Sequence, residues 1–299
     1  MEGLTEGEII HILDTARSFR EVIMRPIRIV PTLRGYSVAN LFFEASTRTR
    51  ISFELAEKRL SCESVNFSAA ASSLSKGESM LDTVRTIEAM QVDAVVIRHS
   101  AQGAPHFLAQ RIEASVINAG DGFHEHPTQA LLDLFTLREK FQNFKGLRVA
   151  IIGDIAHSRV ALSDIFALKT LGAEVMLCGP GSLMPYGVES LGVRITPDLK
   201  EALAFCDIVY LLRIQLERKA GLRFPSIREY QMRYCITMER LMKVGREITV
   251  MHPGPINRGV EISAEVADSP YSLILDQVTN GVAVRMAVLY LISGGNERN

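Results

Sequence analysis

Ser37-Val38-Ala39-Asn40-Leu41-Phe42-Phe43-Glu44-Ala45-Ser46-Thr47-Arg48-Thr49-Arg50 changes character in its middle. Through Phe43 it reads as a buried strand. Beyond Arg50, Ile51, Leu55, Ala56 and Leu60 recur at helical spacing. The stretch is therefore a strand, a short loop and the start of a helix, with hydroxyls and guanidinium groups gathered at the joint. A helix start has free backbone N–H groups and the positive end of the dipole, so it favours an anion. Ser46, Thr47 and Thr49 add hydroxyl donors, and Arg48 adds a planar fork suited to a phosphate. The same residues would also serve a plain N-capped helix with a basic surface. The rest of the chain has to decide between the two.

Outward from this point, apolar strand-like runs alternate with helical patterns. Strands are expected at Leu41-Phe43, Ala94-Ile97, Val116-Asn118, Val149-Ile152, Glu174-Cys178, Ile208-Leu212 and Ile248-Met251. Helices are expected at 48–60, 78–90, 128–141, 159–171 and 199–205. Such alternation predicts an α/β fold of parallel sheets flanked by helices. At 299 residues the chain is long for one core, and two domains are expected. A polar break lies near Phe141-Gln142-Asn143-Phe144-Lys145-Gly146, and a second near Asn280-Gly281, ahead of a long C-terminal helix. That helix is amphipathic enough to pack back on the first domain. The expected division is 1–141 plus 282–299 against 142–281.

Ligands of open α/β sheets bind where strands end and lead into helices. Six such ends carry polar groups: Glu44 to Arg50; Arg98 and His99; Gly120 to Gln129; Gly153-Asp154 with His157-Ser158-Arg159; Arg213 and Gln215; and His252-Pro253-Gly254-Pro255-Ile256-Asn257-Arg258. Arginine dominates, which points to an anionic ligand.

Bulk properties narrow the class. Hydrophobic residues make up 47% and charged residues 22%, and the net charge is −1. This is the balance of a soluble globular protein with no electrostatic case for nucleic acid or an anionic membrane. The beginning Met1-Glu2-Gly3-Leu4-Thr5-Glu6 lacks a signal-peptide pattern, and the apolar run Val282 to Ile292 is too short to span a bilayer. Cys62, Cys178, Cys206 and Cys235 are scattered, as expected of free thiols in a reducing compartment. A cytoplasmic enzyme is expected.

Other chemistries fit poorly. Val149-Ala150-Ile151-Ile152-Gly153-Asp154 lacks the later glycines that admit a dinucleotide pyrophosphate. Lys76-Gly77-Glu78-Ser79 lacks the upstream glycine of a P-loop, and no Gly-x-Ser-x-Gly elbow occurs. His124 and His126 flank Glu125, but alternate loop residues rarely close a zinc site. His126 reads either as a capping or packing residue or as a donor to a carbonyl.

The sequence resembles the aspartate/ornithine carbamoyltransferase family over nearly its whole length. The resemblance rests on Phe43 to Arg50, Ser72 through Ser79, Val96-Ile97-Arg98-His99, His126-Pro127-Thr128-Gln129-Ala130-Leu131-Leu132-Asp133, Arg213-Ile214-Gln215 and His252-Pro253-Gly254-Pro255. It implies carbamoyl transfer from carbamoyl phosphate to an amino acid, without metal or organic cofactor, because the leaving group is already activated. By the family's pattern, Ser46, Thr47, Arg48 and Thr49 bind the phosphate, and Thr49, Arg98 and His126 surround the carbonyl oxygen. Gln129 and the main chain near Gly254 and Pro255 hold the carbamoyl NH2. Arg159, Arg213 and Gln215 match positions that bind the carboxylates of aspartate. Ser72 and Lys76 match a loop that enters a neighbouring subunit's site, Lys76 reaching the aspartate there, which implies a homotrimer with shared sites. A regulatory chain or a dihydroorotase is a further partner that the resemblance admits.

Between aspartate and ornithine, the arginines decide. Ornithine carries a cation and would need a carboxylate or polar pocket, whereas Arg159, Arg213 and Arg223 suit a second carboxylate. The His-Cys-Leu-Pro and Ser-Met-Gly signatures of the ornithine enzymes are absent. Gly254 stands where Leu or Ala is common, and Ser75 where a second Lys often occurs. A non-catalytic scaffold relative would have lost several of these side chains, and the major positions are intact.

Overall fold

Val38, Ala39 and Leu41 are fully buried, and they lie in a strand whose two neighbours run parallel to it. This strand, β1 (Ser37–Phe42), is flanked by β2 (Glu63–Ser68) and β3 (Ala94–His99), and β4 (Ser115–Asp121) pairs with β3. The computed structural model describes residues 1–68, 78–214 and 226–294. It divides into two compact units, Thr5–Phe135 with Thr279–Asn299, and Met1–Leu4 with Thr136–Val278.

The first unit's sheet has the order β2-β1-β3-β4. Around it are α1 (Glu6–Met24), α2 (Thr47–Leu60), α3 (Met80–Glu88), α4 (Ala104–Ala109) and α5 (Pro127–Phe141). α1 opens on a capping box between Thr5 and Glu8, and Ser79 caps α3 through the Asp82 N–H. α2 ends where Ser61 turns left-handed at φ 64. Ala39, Leu41, Val84, Val95, Ile97 and Leu108 form one core of the unit. Burying a side chain such as Leu41 or Ile97 stabilises by about 1.5–3 kcal/mol.

The second unit's sheet has the order β7-β6-β5-β8-β9, all parallel: β5 (Arg148–Ile152), β6 (Glu174–Cys178), β7 (Arg194–Thr196), β8 (Ile208–Leu211) and β9 (Thr249–Met251). Its helices are α6 (Arg159–Thr170), α7 (Leu199–Phe205), α8 (Ile227–Tyr234), α9 (Met238–Met242) and α10 (Ala264–Ala267). Arg148 at the start of β5 grips Asp207 ahead of β8 through two bonds, of 2.6 and 3.0 Å. Burial favours the neutral acid, but the Arg148 bonds outweigh it and hold the Asp207 carboxyl below its usual range.

The strands expected from sequence are present, and so is the α/β class. The last helix, α11 (Ile274–Ile292), starts earlier than the Asn280-Gly281 pair read as a break. Asn280 is fully buried inside it and accepts from Arg20 Nε of α1 at 2.9 Å. Gly281 is there for closeness: a Cβ would lie 2.7 Å from Arg285 Nη1 and 3.0 Å from Leu132 Cδ2. The four cysteines are free thiols. Among the described residues, no helix is long and apolar enough to cross a membrane.

In each sheet, the strand that comes first in the chain lies inside the sheet, with its two later neighbours on opposite sides. These are β1, between β2 and β3, and β5, between β6 and β8. Loops leaving such a switch point part from one another and open a crevice. The Ser46 to Thr49 motif follows β1, and Arg159 follows β5.

Candidate active site

Ser46 is the residue before α2, with extended backbone at φ −156 and ψ 95, and its hydroxyl does not cap the helix. The first turn carries no acidic side chain. The hydroxyl of Ser46, the N–H groups of the first turn and the side chains of Thr47 and Arg48 thus share one helix start. Thr47 and Arg48 are exposed and Thr49 is buried. The arrangement suits an anion with several oxygens.

The adjacent strand ends add to this start. Phe42 of β1 is in register with Arg98 of β3, and the Phe43 N–H donates to the Arg98 main-chain oxygen at 2.9 Å. Arg98 Nη1 donates to the Ala119 oxygen at 3.3 Å, and its Nε lies 3.4 Å from Glu44 Oε2. The guanidinium is therefore held by β4 on one side and by the motif's own glutamate on the other. His99 belongs to the packing: its ring meets Phe43 at 5.2 Å, and its Nδ1 accepts from the Ala101 N–H at 2.9 Å. Burial pushes its pKa down, outweighing Glu44, so it stays neutral.

The loop after β4 is built around Asp121, which is 1% exposed. Its carboxylate accepts from the Gly103 N–H at 2.7 Å, Asn118 Nδ2 at 2.8 Å and the Glu125 N–H at 3.1 Å. His124 Nδ1 lies 3.0 Å from it. Gly122 has φ 49, and a Cβ there would sit 2.7 Å from the Ser100 main-chain oxygen. This fixed turn delivers the buried His126 to the start of α5, where its carbonyl accepts from the Gln129 N–H at 2.9 Å. The His126 carbonyl thus accepts the first bonds of α5, and its side chain is buried. Gln129, one turn on, is also buried.

The second unit repeats the pattern with different side chains. Gly153 leaves β5 at φ 133, where a Cβ would meet Leu212 and the Tyr230 hydroxyl at 3.1–3.2 Å. Asp154 Oδ1 lies 2.7 Å from His157 Nδ1, and Ser158 caps α6 through the Ala161 N–H. Arg159 is the first residue of α6 and is 8% exposed. Arg213 follows β8, beside β5, and the Leu212 N–H donates to the Ile152 oxygen at 2.9 Å. After β9, the Gly254 N–H donates to His252 Nδ1 at 2.7 Å, and His252 Nε2 lies 3.2 Å from Glu261 Oε1. The buried imidazole thus presents one accepting and one donating nitrogen, and it folds the His252-Pro253-Gly254-Pro255 turn. Gly254 occupies φ 66, a left-handed conformation.

Ser46, Thr47, Arg48, Thr49, Arg98, His126 and Gln129 thus lie at the strand ends of one sheet. Arg159, Arg213, Gly254 and Pro255 lie at those of the other. Ser72, Lys76, Gln215 and Arg223 fall outside the described residues. Sequence reading gave no role to Asp121 or Asp133, and it missed Glu44 as a partner of Arg98 and the His252–Glu261 pair. Acids around an anion site resemble solvated charge in a sequence, and only burial distinguishes them.

The carbamoyl-phosphate-binding domain model of aspartate/ornithine carbamoyltransferases matches residues 1–139, and the Asp/Orn-binding domain model matches 145–292. The aspartate carbamoyltransferase catalytic subunit of Cytophaga hutchinsonii is 60% identical over 98% of this chain and 96% of its own length. Among solved structures, the catalytic subunit of M. jannaschii aspartate transcarbamoylase is 33% identical, with a TM-score of 0.87, covering 100% of this chain and 98% of that one. Trypanosoma cruzi aspartate transcarbamoylase, solved in complex with aspartate and phosphate, is 32% identical with a TM-score of 0.84, covering 97% and 93%.

Proposed function

Because the chain belongs to the aspartate/ornithine carbamoyltransferase family, we infer that it moves the carbamoyl group of carbamoyl phosphate onto the amine of L-aspartate. The products are N-carbamoyl-L-aspartate and phosphate, in de novo pyrimidine synthesis. The observation that carries this reading is the hydroxyl- and arginine-bearing start of α2 beside Arg98, on neighbouring parallel strands.

The chemistry assigns the roles. The neutral amine of aspartate attacks the carbonyl carbon, a C–N bond forms, and negative charge builds on the carbonyl oxygen. Arg98, His126 and Thr49 are the donors for that oxygen. The C–O bond to phosphate then breaks, and the electron pair leaves on an anion that Arg48, Ser46, Thr47 and the α2 N–H groups stabilise. The amine's proton goes to the departing phosphate, which becomes basic as it leaves. Gln129 and the turn at Gly254 and Pro255 hold the carbamoyl NH2, and Arg159, Arg213 and Gln215 hold the aspartate carboxylates.

The assignment of 1–141 plus 282–299 to carbamoyl phosphate and 142–281 to aspartate belongs to the same proposal. So do a cytoplasmic location and a homotrimer in which Ser72 and Lys76 enter a neighbouring site. The resemblance supports the two binding domains and the shared trimer sites, and it admits a regulatory chain or a dihydroorotase as a further partner.

The test offers aspartate and ornithine separately with carbamoyl phosphate and identifies the product by mass. N-carbamoyl-aspartate is expected. Citrulline as the preferred product would overturn the acceptor assignment.

A further inference from the structure

Gln129 and Asp133 stand one turn apart on α5, both buried. Gln129 Nε2 donates to both carboxylate oxygens of Asp133, at 3.1 and 3.2 Å. A carboxylate only accepts, whereas a primary amide has one donating and one accepting edge. Chemistry therefore decides an orientation that is otherwise a choice between near-equal flips. Nε2 faces Asp133, and Oε1 is the edge Gln129 offers elsewhere.

Asp133 is itself supported. Arg285 of α11 is 3% exposed, and electrostatic attraction links it to Asp133. Its Nη1 donates to the Gly281 main-chain oxygen at 2.9 Å and to Ser52 Oγ of α2 at 3.1 Å. Burial pushes the Arg285 pKa down to about 10, with Asp133 opposing the drop, so it remains a cation at neutral pH. Arg285, Asp133 and Gln129 form a relay inside one unit, and it also touches the helix that carries the phosphate motif.

We propose that Asp133 is a positioning residue that makes Gln129 present its oxygen to the substrate, and so selects a carbamoyl group over an acyl group. The inference rests on the reading of Gln129 as the acceptor for the carbamoyl NH2. A carbamoyl group brings N–H donors to Oε1, and an acetyl group brings a methyl. With the amide reversed, two NH2 groups would face each other, and the preference would vanish.

The discriminating pair is carbamoyl phosphate and acetyl phosphate, which share the phosphate and carbonyl and differ at this one group. In the intact protein, the KM for carbamoyl phosphate, the competitive inhibition constant of acetyl phosphate and the KM for aspartate are measured before and after Asp133→Leu, which removes every acceptor from Gln129 Nε2. Carbamoyl phosphate should weaken roughly tenfold, the scale of one lost hydrogen bond, and acetyl phosphate by less than about twofold. In a Gln129→Ala background, Asp133→Leu should alter the ratio no further, because its effect runs through Gln129. Equal weakening of both phosphates would show general damage and overturn the proposal, as would an unchanged ratio. Should Asp133→Leu leave Arg285 unpaired and prevent folding, the double variant D133L/R285M removes both buried charges and reads the same ratio. A wild-type protein making no N-carbamoyl-aspartate defeats the functional reading. An active wild type whose ratio survives the substitution defeats this inference alone.

Discussion

Asn40 Nδ2 donates to Glu57 Oε2 at 2.9 Å, and both side chains are completely buried. Asn40 lies in β1 and Glu57 in α2, so the bond ties the strand before the phosphate motif to the helix after it. Asn40→Leu keeps the volume but leaves Glu57 without this donor, at a cost of about 1–3 kcal/mol. The unit should melt several degrees lower in a thermal scan, at roughly 2–4 °C per kcal/mol. An unchanged melting temperature would mean that the bond does not hold the helix in place.

The same pair predicts a pH dependence. Burial raises the Glu57 pKa, and the Asn40 bond together with the nearby Ser64 hydroxyl recovers only part of the shift. An acid whose folded pKa lies above its unfolded value binds more protons in the native state. Stability from this group is therefore present below about 4.5 and lost as pH rises through the folded pKa. Glu57→Gln removes the titration while keeping an acceptor for Asn40. Its melting temperature, relative to wild type, should be higher at pH 8 and converge toward the wild-type value near pH 4.5. A stability difference that ignores pH would show that the folded pKa of Glu57 stays at its unfolded value, the carboxylate being more solvated than its burial implies.

Much of this was legible before any coordinates, for a physical reason. Between Phe43 and Ile51 the apolar pattern changes from a continuous run to helical spacing, and that change both defines the fold unit and marks its ligand end. β2 escaped notice because an edge strand buries little: Glu63-Ser64-Val65-Asn66-Phe67-Ser68 is mostly polar, and Val65 is 45% exposed. Asn280-Gly281 was read as lying ahead of the last helix because the pair carries a turn signal, whereas α11 runs through it and Gly281 relieves crowding between α11 and α5. In the site, the cationic side chains announced themselves. Asp121, Asp133 and Glu57 did not, since an acid that organises donors looks like an acid in solvent until its burial is known.

Gly122 tests whether the Asp121 turn is rigid. Replacement by Ala places a methyl 2.7 Å from the Ser100 carbonyl oxygen, in a backbone conformation of φ 49. Neither atom can yield without moving the strand ends. The substitution should destabilise by about 1–3 kcal/mol and displace His126, cutting kcat by an order of magnitude or more. Thermal unfolding and steady-state kinetics read the two effects together. Full activity with normal stability would mean that the turn relaxes and that His126 does not depend on it.

The two arginines at the switch points should sort the substrates. Arg48 is exposed at the start of α2, so Arg48→Ala should leave the fold intact, as circular dichroism would check. It removes a charged fork from the departing phosphate, and kcat should fall by ~100-fold or more. Arg159 is buried at the start of α6, so Arg159→Lys is the safer probe. It keeps the charge and loses the planar pair of donors that a carboxylate accepts. The KM for aspartate should rise roughly tenfold, with that for carbamoyl phosphate changing by less than about twofold. If Arg159→Lys weakened carbamoyl phosphate and spared aspartate, the assignment of the second unit to the amino acid would have to be reversed.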